Sequence, residues 1–76
     1  MSVTDEDVLA ILVAAEGEEL PTTEIALELG ISDAGAWRRL DRLAEAGIVS
    51  RTSSVETMGD RWTLSEEARR RLDEED

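Results

Sequence analysis

The chain has 76 residues, no cysteine, no histidine, and 19 acidic against 8 basic residues, for a net charge of −11. That length holds one domain near the lower limit for a self-sufficient core, and the composition excludes disulfides, thiolate or imidazole catalysis and ordinary zinc sites. No segment is apolar for long enough to cross a bilayer, and the N-terminus lacks a signal pattern, so a cytoplasmic protein is expected.

Thr4 is a good helix N-cap, and Asp5, Glu6 and Asp7 favour the positive end of the helix dipole. Val8, Leu9, Ile11, Leu12 and Ala15 recur at helical spacing, which predicts helix 1 over residues 5–16 with Gly17 as its left-handed cap. Leu20, between Glu19 and Pro21, is enough for a minimal strand or anchor. Thr22 is expected to cap helix 2 over residues 23–29, with Ile25, Ala26 and Leu29 inward. Gly30 is its natural C-cap, and Ile31 turns back toward the core.

Ser32 then caps helix 3, residues 33–47, which closes at Gly47. Its inward stripe is Ala36, Leu40, Leu43 and Gly47, spaced four, three and four. The opposite face carries Gly35, Arg38, Arg42 and Glu45, with Arg39 at its edge. Helices 2 and 3 are separated by so few residues that they must cross sharply, and Ala26 and Ala36 are small enough to let their backbones approach. After Gly47 the period changes from 3.6 to 2. Ile48–Thr52 and Met58–Leu64 read as the strands of a hairpin over 48–64, with its tip near Ser53–Thr57. Trp62 and Leu64 face one side, Arg61 and Thr63 the other. Ser65 caps a short helix 4, anchored only by Ala68 and Leu72 and frayed beyond Leu72. An acidic tail, 73–76, follows a domain placed at 4–72.

The fold class is therefore α+β, mainly α: a three-helix core, a two-stranded wing and a short C-terminal helix. Thr23-Glu24-Ile25-Ala26-x-x-Leu29-Gly30-Ile31-Ser32, followed by Leu40-x-x-Leu43-x-x-x-Gly47-Ile48-Val49, resembles a winged helix-turn-helix domain of the MarR and ArsR type. Trp62-x-Leu64-Ser65 is similar to the strand end that closes the wing in many of them. The acidic composition, in which every basic residue is arginine, resembles that of haloarchaeal and halovirus repressor-like winged helices. The resemblance implies a transcriptional regulator with double-stranded DNA as partner, helix 3 in the major groove and the wing on the backbone.

Charge is unevenly distributed. Residues 1–31 hold eight acids and no base, residues 32–64 five acids and five arginines, and residues 65–76 six acids and three arginines. The middle third is neutral inside an acidic chain, as a surface facing phosphate would need. Arg38, Arg39 and Arg42 are the first candidates for contact, since a guanidinium can hold a guanine edge or a phosphate with two hydrogen bonds. The alternative is a solvated face with Arg38–Asp41 and Arg42–Glu45 as local pairs. In the first turn, Asp33 favours the dipole, while Ala34 and Gly35 offer small groups to base edges, with Gly35 either allowing close approach or weakening the helix start. Thr22, Thr23 and Ser32 can donate to phosphates or act as caps. Arg51 and Arg61 sit on the two wing strands, opposed there by Glu56 and Asp60.

Trp37 lies a quarter-turn from the inward stripe. It either packs as a flank residue on helix 2 or a neighbouring element, or faces a partner. Leu27 is a second candidate for an exposed apolar residue. These two support a competing reading, a protein-interaction winged helix in a transcription or replication assembly. No carboxylate pair has a nucleophile or base beside it, and phosphate-loop and dinucleotide motifs are missing, so neither an enzyme nor a cofactor is expected. The acidic runs lack the spacing of a calcium loop. No small-molecule ligand and no membrane contact are inferred. Regulators of the MarR type dimerise through long terminal helices that this sequence does not show, so the expected free state is a monomer or weak homodimer.

Overall fold

A computed structural model describes residues 3–54 and 59–74, and every structural statement below refers to these. The chain folds as α1 (Asp5–Ala14), β1 (Leu20–Pro21), α2 (Thr22–Leu29), α3 (Asp33–Glu45), β2 (Val49–Ser54), β3 (Gly59–Leu64) and α4 (Glu66–Glu74). Four helices thus surround a small antiparallel sheet of order β1-β3-β2. Their fold class matches the sequence reading.

The helix ends are written locally. At the start of α1, the Thr4 hydroxyl accepts from the Asp7 amide while the Asp7 carboxylate accepts from the Thr4 amide, a reciprocal capping box. Helix α1 ends at Ala14 with Ala15 as its cap, two residues before the expected end. Glu16 as well as Gly17 adopts a positive φ, 54° and 91°, so the chain leaves the helix one residue before the glycine. At the other end of the helix-turn-helix, α3 closes with a full Schellman motif. Gly47, at φ 79°, donates to the Ala44 carbonyl at 3.0 Å and Ile48 to the Leu43 carbonyl at 2.9 Å.

The core is built from Val8 and Leu12 of α1, Ile25 of α2, Leu40 and Leu43 of α3, and Val49, Trp62 and Leu64 of the sheet. Ala26 and Ala36 are both buried, which lets α2 and α3 cross closely. Trp62 is fully buried and its indole N–H donates to the Thr22 hydroxyl at 2.7 Å.

Other boundaries also depart from the sequence reading: α3 ends at Glu45, two residues before Gly47, and α4 runs on to Glu74, past the expected fraying at Leu72. Helix α2 begins at Thr22, with Pro21 as an N-cap that offers no side-chain bond. The Thr22 hydroxyl is drawn away from the helix end because it meets the Trp62 indole instead. The first hairpin strand also extends further toward the turn than expected, β2 reaching Ser54 rather than Thr52. Each ladder bond satisfies one more backbone pair, and this outweighs the weak strand preference of the serines. Pairing of Leu20 with Trp62 and of Pro21 with Arg61 adds β1 as a third strand, making β3 central. Of the expected hairpin tip, Ser53 and Ser54 belong to β2, while residues 55–57, Glu56 among them, and Met58 lie outside the described residues.

Candidate nucleic-acid interface

Three features of the sequence place α3. Its inward stripe, Ala36, Leu40 and Leu43, is buried. Ser32 caps its start, accepting from the Gly35 amide at 3.1 Å. The Schellman turn fixes its end. A helix held along one face and at both ends projects its other face rigidly. Arg38 and Arg42, one turn apart, are exposed on that face, and neither has an ion-pair partner among the described residues. The local pairs that the sequence allows, Arg38–Asp41 and Arg42–Glu45, do not form there.

Arg39 and Arg51 are engaged within the protein. Arg39 is half-buried and reaches back to Asp5 of α1 at 3.8 Å. Arg51 of β2 lies 3.6 Å from Asp41 of α3, and its guanidinium stands 5.9 Å from the centroids of both the Trp37 and Trp62 rings. A cation at that distance over an aromatic ring is attracted by the ring quadrupole. The two tryptophans meet edge to face, with centroids 6.4 Å apart. Arg61 alternates with Trp62 along β3 and so faces the other side of the sheet. Its Nε is buried without a hydrogen-bond partner among the described residues.

Asp60 completes this junction. One carboxylate oxygen accepts from the Trp37 indole N–H at 2.7 Å and the other from the Ser53 hydroxyl at 2.8 Å. Its backbone carbonyl accepts from the Thr22 hydroxyl at 3.4 Å. The Trp37 and Ser53 hydrogen bonds stabilise the ionised carboxylate and hold its pKa below the usual aspartate value of 3.8; burial opposes them in part, and Arg51 adds a smaller lowering.

The comparisons with known proteins bear on this geometry. Residues 1–50 match the family described as winged helix-turn-helix DNA-binding. The chain belongs to that family. No curated protein sequence matches it significantly. Among solved structures, the winged-helix domain is similar to YusO of Bacillus subtilis, at 22% identity over 92% of this chain and 49% of that one, with a TM-score of 0.77. It is similar to a MarR-family transcriptional regulator of Silicibacter pomeroyi, at 26% identity over 97% and 49% of the two chains, TM-score 0.74. It is also similar to the transcriptional repressor CouR, solved on a 23-mer DNA duplex, at 32% identity over 90% and 47%, TM-score 0.71. The winged-helix domain spans about half the length of these relatives.

The residues singled out from the sequence fall into three groups in the winged-helix domain. Thr23, Ser32, Ala34, Arg38 and Arg42 are exposed along α2 and α3. Gly35 is half-buried, and a Cβ added there would lie 3.2 Å from the Ser32 hydroxyl and 3.8 Å from Ile31. The space beside it is thus filled by the cap. Thr22, Arg39 and Arg51 bond within the protein, and for Thr22 the hydroxyl that was to cap α2 or meet phosphate has both a donor and an acceptor inside the fold. Trp37 packs on a neighbouring element, the wing, and is 38% exposed, whereas Leu27 is 81% exposed. Sequence reasoning missed Asp60 as the partner of Trp37 on α3, and Ser53 as the second donor to Asp60. No periodic signal links them to Trp37, 23 residues away from Asp60 in the chain.

Proposed function

We propose that the protein is a DNA-binding transcriptional regulator that lays α3 in a major groove and sets its wing along the adjacent backbone. The observation that carries this reading is the pair Arg38 and Arg42, unpaired among the described residues on the outer face of a helix fixed along its length. Membership of the winged helix-turn-helix DNA-binding family supports it. The transcriptional role is in keeping with the structural likeness to CouR, a repressor solved on DNA. Thr23, Ser32 and Ala34 flank the same groove contact, Gly35 makes room for the Ser32 cap that fixes the first turn beside it, and Arg61 is the wing cation on the outer side of the sheet. Arg39, Arg51 and Thr22 serve as supports of that surface.

The net charge of −11 opposes association with DNA at low ionic strength. An acidic, lysine-free surface of this kind suits a halophile. At about 1 M salt the Debye length is about 3 Å, so distant carboxylates are screened and local contacts decide. Binding should therefore persist or strengthen as salt rises, the reverse of the counterion-release slope of a basic repressor. Selection of bound sequences from random duplexes at molar salt, followed by anisotropy over a salt series, tests this. The absence of binding to every duplex, with no chemical-shift change in α3, would refute it. The free protein is taken as a monomer or weak homodimer.

A second reading is favoured by one observation. Leu27, 81% exposed on α2, is an apolar anchor for a protein partner, which would make this winged helix an interaction module in a transcription or replication assembly. Under that reading Leu27→Ala abolishes complex formation and Arg38→Ala with Arg42→Ala leaves it intact.

A further inference from the structure

Four elements meet at Asp60, as they also do at its buried neighbour Trp62. Its carboxylate holds Trp37 of α3 and Ser53 of β2, and its carbonyl holds Thr22 of α2, while it belongs to β3 itself. The two helices of the helix-turn-helix and both wing strands thus converge on one side chain and its peptide. The sheet is anchored to the core through Val49, Trp62 and Leu64. Asp60 lies two residues beyond Trp62, toward the hairpin turn. Past that point the tilt of the wing against α3 is set by what Asp60 and its neighbours hold.

We propose that the Trp37–Asp60 hydrogen bond is a positioning clasp, which fixes the wing against α3 so that both can engage one duplex at once. The proposal rests on the DNA-binding reading above. The bond is short, 2.7 Å, and its acceptor is ionised, which makes it one of the stronger classes of hydrogen bond. It joins two elements that are each independently anchored, α3 by Ala36, Leu40 and Leu43 and the sheet by its own core residues. Breaking it therefore frees an angle while leaving the fold in place. Holding that angle before binding removes an ordering cost from association. The clasp also accounts for a carboxylate on the wing of a DNA-binding protein. A free carboxylate there would repel phosphate, but this one accepts two hydrogen bonds and is bordered by Arg51. Trp37 and Asp60 act as positioning residues, setting DNA affinity through the wing.

The sign of one effect separates this from a bland surface role. If Asp60 were only an exposed carboxylate, Asp60→Ala would tighten binding by removing a repelling charge. As a clasp, its loss weakens binding. The experiment compares the wild type with Trp37→Phe, Asp60→Ala and Asp60→Asn at molar salt, on a duplex that the wild type selects from a random pool. Far-UV circular dichroism confirms folding. Residual dipolar couplings of the Arg51–Ser53 and Gly59–Arg61 amides report wing orientation relative to α3. Trp37→Phe and Asp60→Ala are expected to weaken binding by about five- to tenfold and to change or average the wing couplings with those of α3 unaltered. Asp60→Asn keeps an acceptor and drops the charge, so it should restore most of the affinity and the wing couplings. Tighter or unchanged binding by Asp60→Ala, an Asp60→Asn as weak as Asp60→Ala, or unaltered wing couplings in Trp37→Phe would each overturn the clasp. Should the wild type select no duplex, the DNA-binding reading fails, and the couplings of Trp37→Phe alone decide whether the wing is clasped.

Discussion

Helices α3 and α4 each carry three arginines, Arg38, Arg39 and Arg42 on one and Arg69, Arg70 and Arg71 on the other, yet the fold treats them differently. Helix α3 buries three side chains and is fixed at both ends, whereas α4 buries none. Helix α4 is held mainly at its start, where the Ser65 hydroxyl donates to the Gly47 carbonyl at 2.8 Å and accepts from the Ala68 amide at 3.1 Å. Farther along, Leu72 is 46% exposed over an open groove of about 290 Å³ between α4 and α1. Arg71 pairs with Glu67 on its own helix, and Arg69 lies over Gly17. Arginine content therefore does not mark a binding face. What distinguishes α3 is that its outward arginines stand on a backbone that cannot retreat from a ligand. Rigid placement matters more than charge when salt screens everything beyond the nearest contact.

The largest expected effect attacks that anchoring. Leu40→Ala removes a fully buried side chain and should destabilise the domain by about 2–5 kcal/mol, enough to unfold much of the population of so small a protein. Leu72→Ala, on the loosely held helix, should cost less than about 1 kcal/mol. Urea denaturation of both variants measures the gap, and equal costs would mean that α4 is as much a part of the core as α3.

Next comes function. Arg38→Ala combined with Arg42→Ala should weaken duplex binding at molar salt by about 100-fold or more, since each lost contact to DNA is worth about 1–3 kcal/mol. Arg70→Ala should change it by less than about threefold. Fluorescence anisotropy on a selected duplex gives both numbers. A larger loss at Arg70 would move the interface to α4.

The two glycines that end the helix-turn-helix helices sharpen the point about fixed ends. Gly47 has a φ of 79°, and a Cβ there would meet nothing within 4 Å. Gly47→Ala should therefore cost only the left-handed backbone penalty, about 1–2 kcal/mol. A thermal melt would show it. Ser65 bonds to the Gly47 carbonyl, so the same change should also loosen the start of α4.

Features read correctly from the sequence are those whose cause lies within one or two turns of chain. Ser32 and Thr4 cap because a hydroxyl reaches an amide three residues on, and Gly30 and Gly47 end helices because the next turn needs a positive φ. The inward stripe of α3 follows from period alone. Wider contacts were not legible. Pairing of Leu20 with Trp62 makes a third strand out of two residues, and nothing local to Leu20 announces it. The destination of the Thr22 hydroxyl depends on Trp62, 40 residues later. Arg51 reads as a wing cation available to phosphate until the sheet register places it opposite Trp62 and beside Asp41. The same register sets Asp60 opposite Ser53, and the packing of the sheet on α3 brings it to Trp37.

The smallest expected effect concerns that last contact, and it distinguishes the braced side of α3 from the unbraced α4 without any mutation. Asp60 has a folded-state pKa below the unfolded value near 3.8 because the Trp37 indole and the Ser53 hydroxyl donate to its ionised form. A depressed carboxylate pKa contributes stability that is fully present above the unfolded value and is lost as pH falls through the folded one. The clasp should thus be intact at neutral pH and open in acid, at a pH below that at which an ordinary aspartate takes up its proton. An NMR titration follows the Trp37 indole proton, whose chemical shift should move with a midpoint below that of an ordinary aspartate. The Trp62 indole proton is the internal control. Its acceptor, the Thr22 hydroxyl, does not titrate there, so its shift should stay constant until the domain itself unfolds. If the two indoles moved together, the transition would be global unfolding. If Trp37 moved alone at or above the ordinary carboxylate range, Asp60 would not be held in its ionised form by these bonds.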